Sequence, residues 1–71
     1  MNTIKVGVYV DRENKNIVLE LSKDAVVLDL LRELRINPVT VIVSKNNELI
    51  LEHEKLNNND ELKILSVISG G

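Results

Sequence analysis

The 71-residue chain contains no cysteine, tryptophan or phenylalanine, and only one histidine, one tyrosine and one proline. Without cysteine there can be no disulfide scaffold, iron–sulfur cluster, thiolate zinc site or thiol nucleophile. His53 alone excludes any multi-histidine metal site. A single aromatic, Tyr9, and a formal net charge of −2 exclude a surface of the stacking, basic kind that binds nucleic acid. No apolar run approaches the ~20 residues of a membrane span, and the N-terminus carries no signal-peptide pattern, so the expected location is cytoplasmic. There is no GxxxxGK[ST] phosphate loop and no Ser-His-Asp set with a nucleophile elbow. The length allows one domain only. Disorder is excluded as well, because 44% of the residues are hydrophobic and Val, Ile and Leu supply nearly all of them.

The apolar residues that are present change period along the chain. Ile4, Val6, Val8 and Val10 recur at every second position, the period of a half-buried strand. Gly7, within that strand, predicts a bulge or a close backbone approach. Asp11 to Asn16 is polar and closes a hairpin, and Ile17, Leu19 and Leu21 then share one face of a second strand. From Val27 the period becomes helical: Val27, Leu30, Leu31 and Leu34 make one apolar stripe, with Asp29, Arg32, Glu33 and Arg35 on the other side. Asp24 lies near the helix start and Arg35 near its end, as the helix dipole prefers. Asn37 is suited to a left-handed cap, and Pro38 forbids continuation. No complete capping box is visible at the start.

Val39 to Val43 is rich in β-branched residues and predicts a third strand. Ser44 to Asn47 reads as a turn, Glu48 to Leu51 as a short strand, and Glu61 to Val67 as the last one. Leu56 is the only apolar residue in the polar stretch 52–60 and is expected to plug the core. The order is β-β-α-β-β, and one helix covers only one sheet face. The class is α+β, a mixed sheet with the first and last strands parallel and adjacent, reached by a right-handed crossover through the helix. This is the ubiquitin-like β-grasp arrangement. The expected division is a domain over 1–66 and a flexible C-terminal tail over 67–71.

Candidate chemistry is sparse. Glu52-His53-Glu54 is a small acidic and imidazole cluster, too poor in ligands for a closed metal site, and reads as a solvated turn. Glu48, Glu52 and Glu54 read as solvated carboxylates, and no metal site is expected. Asn57 to Asp60 is a turn rather than a calcium loop, because the ligand spacing and terminal Glu are missing. The tail is different. Ser66 onward carries no side-chain charge, and the chain ends on Gly70-Gly71. Glycine lacks a Cβ and threads a narrow channel, so the terminal carboxyl would be the functional group presented. With a pKa near 3.5, such a group is ionised at neutral pH and inert as an electrophile until a partner activates it.

These residues resemble the ThiS/MoaD family of sulfur carriers, which are ubiquitin-like. The resemblance rests on Asn59-Asp60-Glu61-Leu62-Lys63-Ile64-Leu65, then Ser66-Val67-Ile68-Ser69-Gly70-Gly71, and on Val26-Val27-Leu28-Asp29-Leu30-Leu31. Asn59 stands where the family has Gly, which Asn can replace in a left-handed turn. Val26 stands where a Thr would cap the helix, leaving Asp24 as the alternative cap. The resemblance implies a protein cosubstrate rather than an enzyme. A ubiquitin-activating-type partner would spend MgATP to adenylate the Gly71 carboxylate. A persulfide or sulfide donor would leave a Gly71 thiocarboxylate. A synthase would then accept the sulfur to build thiazole, molybdopterin or a thiolated tRNA base, with the thiamine-type carrier favoured by length. The chain itself would bind no cofactor, and ATP and Mg would belong to the partner.

Docking would fall on the sheet face without the helix. By parity, Ile42, Leu65 and Val67 point outward on adjacent strands and form an apolar patch leading to the tail residues Ile68, Ser69 and Gly70. The free protein is expected to be a monomer, with no nucleic-acid or membrane partner. Two other classes fit the same tail: a modifier joined through Gly71 to lysines of target proteins, and a β-grasp interaction domain with incidental glycines.

Overall fold

A computed structural model describes residues 2–67. Five strands form one sheet: β1 (Thr3–Val10), β2 (Lys15–Ser22), β3 (Val41–Lys45), β4 (Glu48–Ile50) and β5 (Glu61–Ser66), with the helix α1 (Val27–Glu33) between β2 and β3. The strand order is β2-β1-β5-β3-β4. The first and last strands are central and parallel, with Val8 beside Leu62 and Val10 beside Ile64. The other neighbours are antiparallel. The α+β, ubiquitin-like β-grasp expected from the hydrophobic periods is therefore the fold found.

Alternation decides which face is buried. Ile4, Val6, Val8 and Val10 of β1 and Leu62 and Ile64 of β5 point to the helix and are buried. Val27, Leu30 and Leu31 meet them from α1, and Leu34 packs at the margin, as the helical stripe predicts. Leu56 is 1% exposed and fills the core from its loop as expected.

The helix start is closed in a way the side chains do not announce. Val26 has no side-chain acceptor, and Asp24 does not cap; its carboxylate lies 3.5 Å from Lys55 Nζ. Instead, the Val27 and Leu28 N–H groups donate to the carbonyls of Glu54 and Glu52. Asp29 accepts from the Val26 N–H at 3.0 Å, which is the reciprocal half of a capping box. Two of the helix's orphan donors are thus satisfied by the loop before Leu56.

The helix end corrects a second expectation. Arg35, not Asn37, is left-handed, at φ 59°. The Ile36 N–H donates to Leu31 O and the Arg35 N–H to Arg32 O, the paired bonds of a Schellman motif. Asn37 is extended, and its side chain accepts the Val39 N–H at 3.0 Å. With Pro38 at the first position, residues Pro38–Thr40 form a short 3-10 turn. That local capping overrides the β-branched run, so β3 starts at Val41 rather than Val39 and extends through Ser44 and Lys45.

The β3–β4 turn shrinks to Asn46 and Asn47, at φ 52° and 70°. Two left-handed central residues are what a type I′ hairpin requires, and asparagine is among the residues that tolerate them. Asn59 is left-handed at φ 70°, the conformation expected of it in this turn. Gly7 produces neither of the features anticipated for it. The β1–β2 register is unbroken, and a Cβ at Gly7 would come no closer than 4.0 Å to its neighbours.

Candidate functional site

The site is built where β5 ends. Thr40 terminates the 3-10 turn, its hydroxyl donating to Asn37 O at 2.8 Å. Its own carbonyl accepts the Val67 N–H at 3.1 Å. The last described residue is therefore fastened beside the start of β3. Parallel pairing with β1 brings the turn Asp11–Glu13 to the same end of the sheet. Residues 68–71, which include the expected Ile68, Ser69, Gly70 and Gly71, lie outside the described residues.

The three expected docking residues are brought together. Ile42 and Leu65 are direct cross-strand partners on the face opposite the helix. Ile42 is 37% exposed and Val67, one residue beyond β5, is 50% exposed; Leu65 is half-buried between neighbours. Two further residues join them. Leu49 lies opposite Ser44 in the β3–β4 pair, and Leu49 and Leu51 are 70% and 78% exposed. With Ile42, Val41 and Pro38 they line an open groove along the β4 edge that continues to Val27 and Leu31 of the helix. Leu49-Ile50-Leu51 is apolar on successive positions, and a strand cannot turn all of them inward. That run was the signal available in the sequence. Val39, displaced from β3 into the 3-10 turn, adds a side chain 75% exposed.

The rest of the helix-free face is polar. The Tyr9 hydroxyl and Asn14 Oδ1 are 2.8 Å apart, and Thr3 donates to Glu20 Oε2 at 2.7 Å. Lys5, Lys63 and Glu61 are exposed beside them. The face divides into an apolar part at β3, β4 and the end of β5, and a mostly polar part at β1, β2 and the start of β5, where Val18 stands exposed.

Other clusters carry no chemistry. His53 Nε2 is 3.9 Å from Glu52 Oε1, and its side chain is 84% exposed, so the acidic–imidazole group is solvated, as expected. Lys45 reaches Asp60 at 3.8 Å and Glu54 at 3.9 Å, long contacts that hold the 54–60 loop to β3. Asp60 also accepts from the Asn57 N–H at 2.8 Å, closing the turn around Asn59. Among the described residues no group of His, Asp or Glu is arranged to hold a metal ion. None of their helices is long and apolar enough to cross a membrane.

Comparison with known proteins fits this geometry. The model of the ThiS family matches residues 6–71, all of the chain but its first strand residues. The chain belongs to the ThiS family. This ThiS-family chain is 34% identical over 53 residues to the sulfur carrier protein TtuB of Thermus thermophilus, covering 75% of the chain and 82% of TtuB. Among solved structures it resembles Caldiarchaeum subterraneum ubiquitin, with a TM-score of 0.73 at 14% identity over 97% of this chain and 99% of that one. It also resembles SAMP1 from Haloferax volcanii, with a TM-score of 0.67 at 20% identity over 97% and 99% of the two chains. At such identities the structural likeness establishes the ubiquitin-like fold alone.

Proposed function

We propose that this protein is a sulfur carrier whose cargo is held on the Gly71 carbonyl. The observation that supports this reading most directly is the family match, which runs unbroken from β1 through the two terminal glycines. The likeness to a sulfur carrier protein over three quarters of the chain points the same way. The chemistry is simple to balance. A carboxylate oxygen of Gly71 attacks the α-phosphorus of MgATP on an adenylating partner, and pyrophosphate leaves. Sulfide then attacks the acyl adenylate and AMP leaves, giving the thiocarboxylate. A persulfide donor would instead give an acyl disulfide, which a thiol must reduce. The protein supplies no acid, base or metal to these steps. It supplies a chain end that fits a narrow channel and an apolar patch to seat it there.

The patch of Ile42, Leu65 and Val67, enlarged by Leu49 and Leu51, is the docking surface in this reading. Its apolar character suits the buried centre of an interface. The acceptor in this reading is a synthase that builds thiazole, molybdopterin or a thiolated tRNA base. The test is mass analysis of the intact protein after incubation with its adenylating enzyme, MgATP and sulfide. The expected product has one terminal oxygen replaced by sulfur, and deletion of Gly70 and Gly71 abolishes it. Adducts joined through Gly71 to lysines, with no thiocarboxylate formed, would instead identify a protein modifier.

A further inference from the structure

The free edge of β2 lies on the opposite side of the sheet from the docking patch, and sulfur carriage leaves it unused. β2 stands at the end of the strand order, pairs with β1 over its eight residues without a bulge, and contains no proline. The direction of its unpaired backbone groups follows from β1. The Gly7 N–H donates to Asp60 O, and the Lys5 carbonyl accepts from the Asn59 N–H. Both residues therefore turn their peptide groups toward β5. Their antiparallel partners, Val18 and Glu20, must be in non-hydrogen-bonded pairs and turn theirs away from β1. Asn16 follows by the two-residue period. An edge that presents aligned N–H and C=O groups beside a Val18 side chain 71% exposed is a template for another strand.

We infer that this edge pairs with the same edge of a second copy, antiparallel, with Val18 on the two-fold axis. Outward-turned residues must oppose outward-turned ones for the backbone bonds to form, which confines the register to even steps. Centred on Val18, the pairing sets Val18 against its own copy, Asn16 against Glu20, and Ile17 against Leu19. Apolar meets apolar on both faces, and the Glu20 carboxylate meets an amide that can donate to it. The opposed pairs Asn16–Glu20, Val18–Val18 and Glu20–Asn16 each exchange two backbone hydrogen bonds. Moving the centre to Leu19 sets Glu20 against Val18, and moving it to Glu20 opposes two carboxylates. All three registers are isologous, and among them only the Val18 centre sets Glu20 against neither an apolar residue nor another carboxylate. This departs from the monomer expected of the sequence. A single strand pair buries less than the roughly 1,200 Å² of a standard stable interface, so the dimer is weak and concentration-dependent.

The experiment uses the full chain, from tens of micromolar to about 2 mM, a span that reports weak association. Sedimentation should show the average mass rising toward twice that of the monomer. Amide exchange at Asn16, Val18 and Glu20 should slow as concentration rises. Val18→Pro removes only an N–H that points away from β1, and should keep the monomer fold while weakening association at least tenfold. Val18→Lys retains that N–H but opposes two ammonium groups on the axis, and should have the same effect. If the proline variant unfolds, the lysine variant decides. A chain that stays monomeric to the highest concentration would overturn the proposal. So would association that survives in the folded variants or centres on Ile42, Leu65 and Val67. Protection of the β2 amides only by another protein's strand would also reject the second copy as occupant.

Discussion

Truncating both exposed members of the apolar patch, Ile42→Ala with Val67→Ala, should separate docking from folding. Complete burial of a Val or Ile side chain is worth about 1.5–3 kcal/mol. Val67 is 50% exposed and Ile42 37% exposed in the free protein. A partner that covers both therefore recovers roughly 1 kcal/mol from each, or about 2 kcal/mol together. That corresponds to a Kd raised roughly 30-fold. The buried remainder of Ile42 contributes to folding, so the variant should lose about 1–2 kcal/mol of stability. A domain of this length has several kcal/mol in hand and stays folded. The assay is ATP–pyrophosphate exchange by the adenylating enzyme, with the concentration of carrier varied. KM for the carrier should rise roughly 30-fold while kcat is largely retained, because Ile68 to Gly71 and the terminal carboxylate are untouched. An unchanged KM in a variant shown to be folded would refute the docking assignment. A lowered kcat at unchanged KM would place these side chains in tail positioning instead.

Three further outcomes concern the scaffold, each measured by urea unfolding. Arg35→Gly relieves a left-handed residue at the Schellman position and should raise stability by about 1 kcal/mol. Leu56→Ala empties a site that is 1% exposed and should cost about 2–5 kcal/mol, a large share of the total. Asn47→Gly should stabilise the β3–β4 hairpin by about 0.5 kcal/mol, since Asn-Gly is the preferred type I′ pair; a loss of stability would show that the Asn47 side chain carries an unrecognised contact.

Periodicity located the helix stripe, the inward residues of β1 and β5, and the outward pairing of Ile42 with Leu65. Those features follow from periodicity alone, about two residues for strands and about 3.6 for the helix, and periodicity is a property of the local sequence. The misses share a different cause. Val39 and Thr40 are β-branched, yet the Asn37 side chain captures the Val39 N–H and bends the segment into a 3-10 turn. Ser44 is polar, yet β3 carries it to 8% exposure because Lys63 and Leu49 flank it across the sheet. The helix cap lies in the main-chain carbonyls of Glu52 and Glu54, far along the chain from Val27 and Leu28, for which no side chain gives a signal. Leu49 and Leu51 were readable as an apolar run, but their place beside Ile42 required the β3–β4 register.

The loop ahead of Leu56 has an unusual tolerance as a result. Glu52, His53 and Glu54 are exposed, while the Glu52 and Glu54 carbonyls seat the first turn of the helix. The identities of Glu52 and His53 should be freely exchangeable, because nothing in the core senses them, and that of Glu54 nearly so, since its ion pair with Lys45 is long at 3.9 Å. Their number should not be: one residue inserted or deleted would drag two acceptors off the helix start and pull Leu56 from its socket together. Swapping charges there would retune the surface cheaply, whereas lengthening the segment would threaten the whole domain.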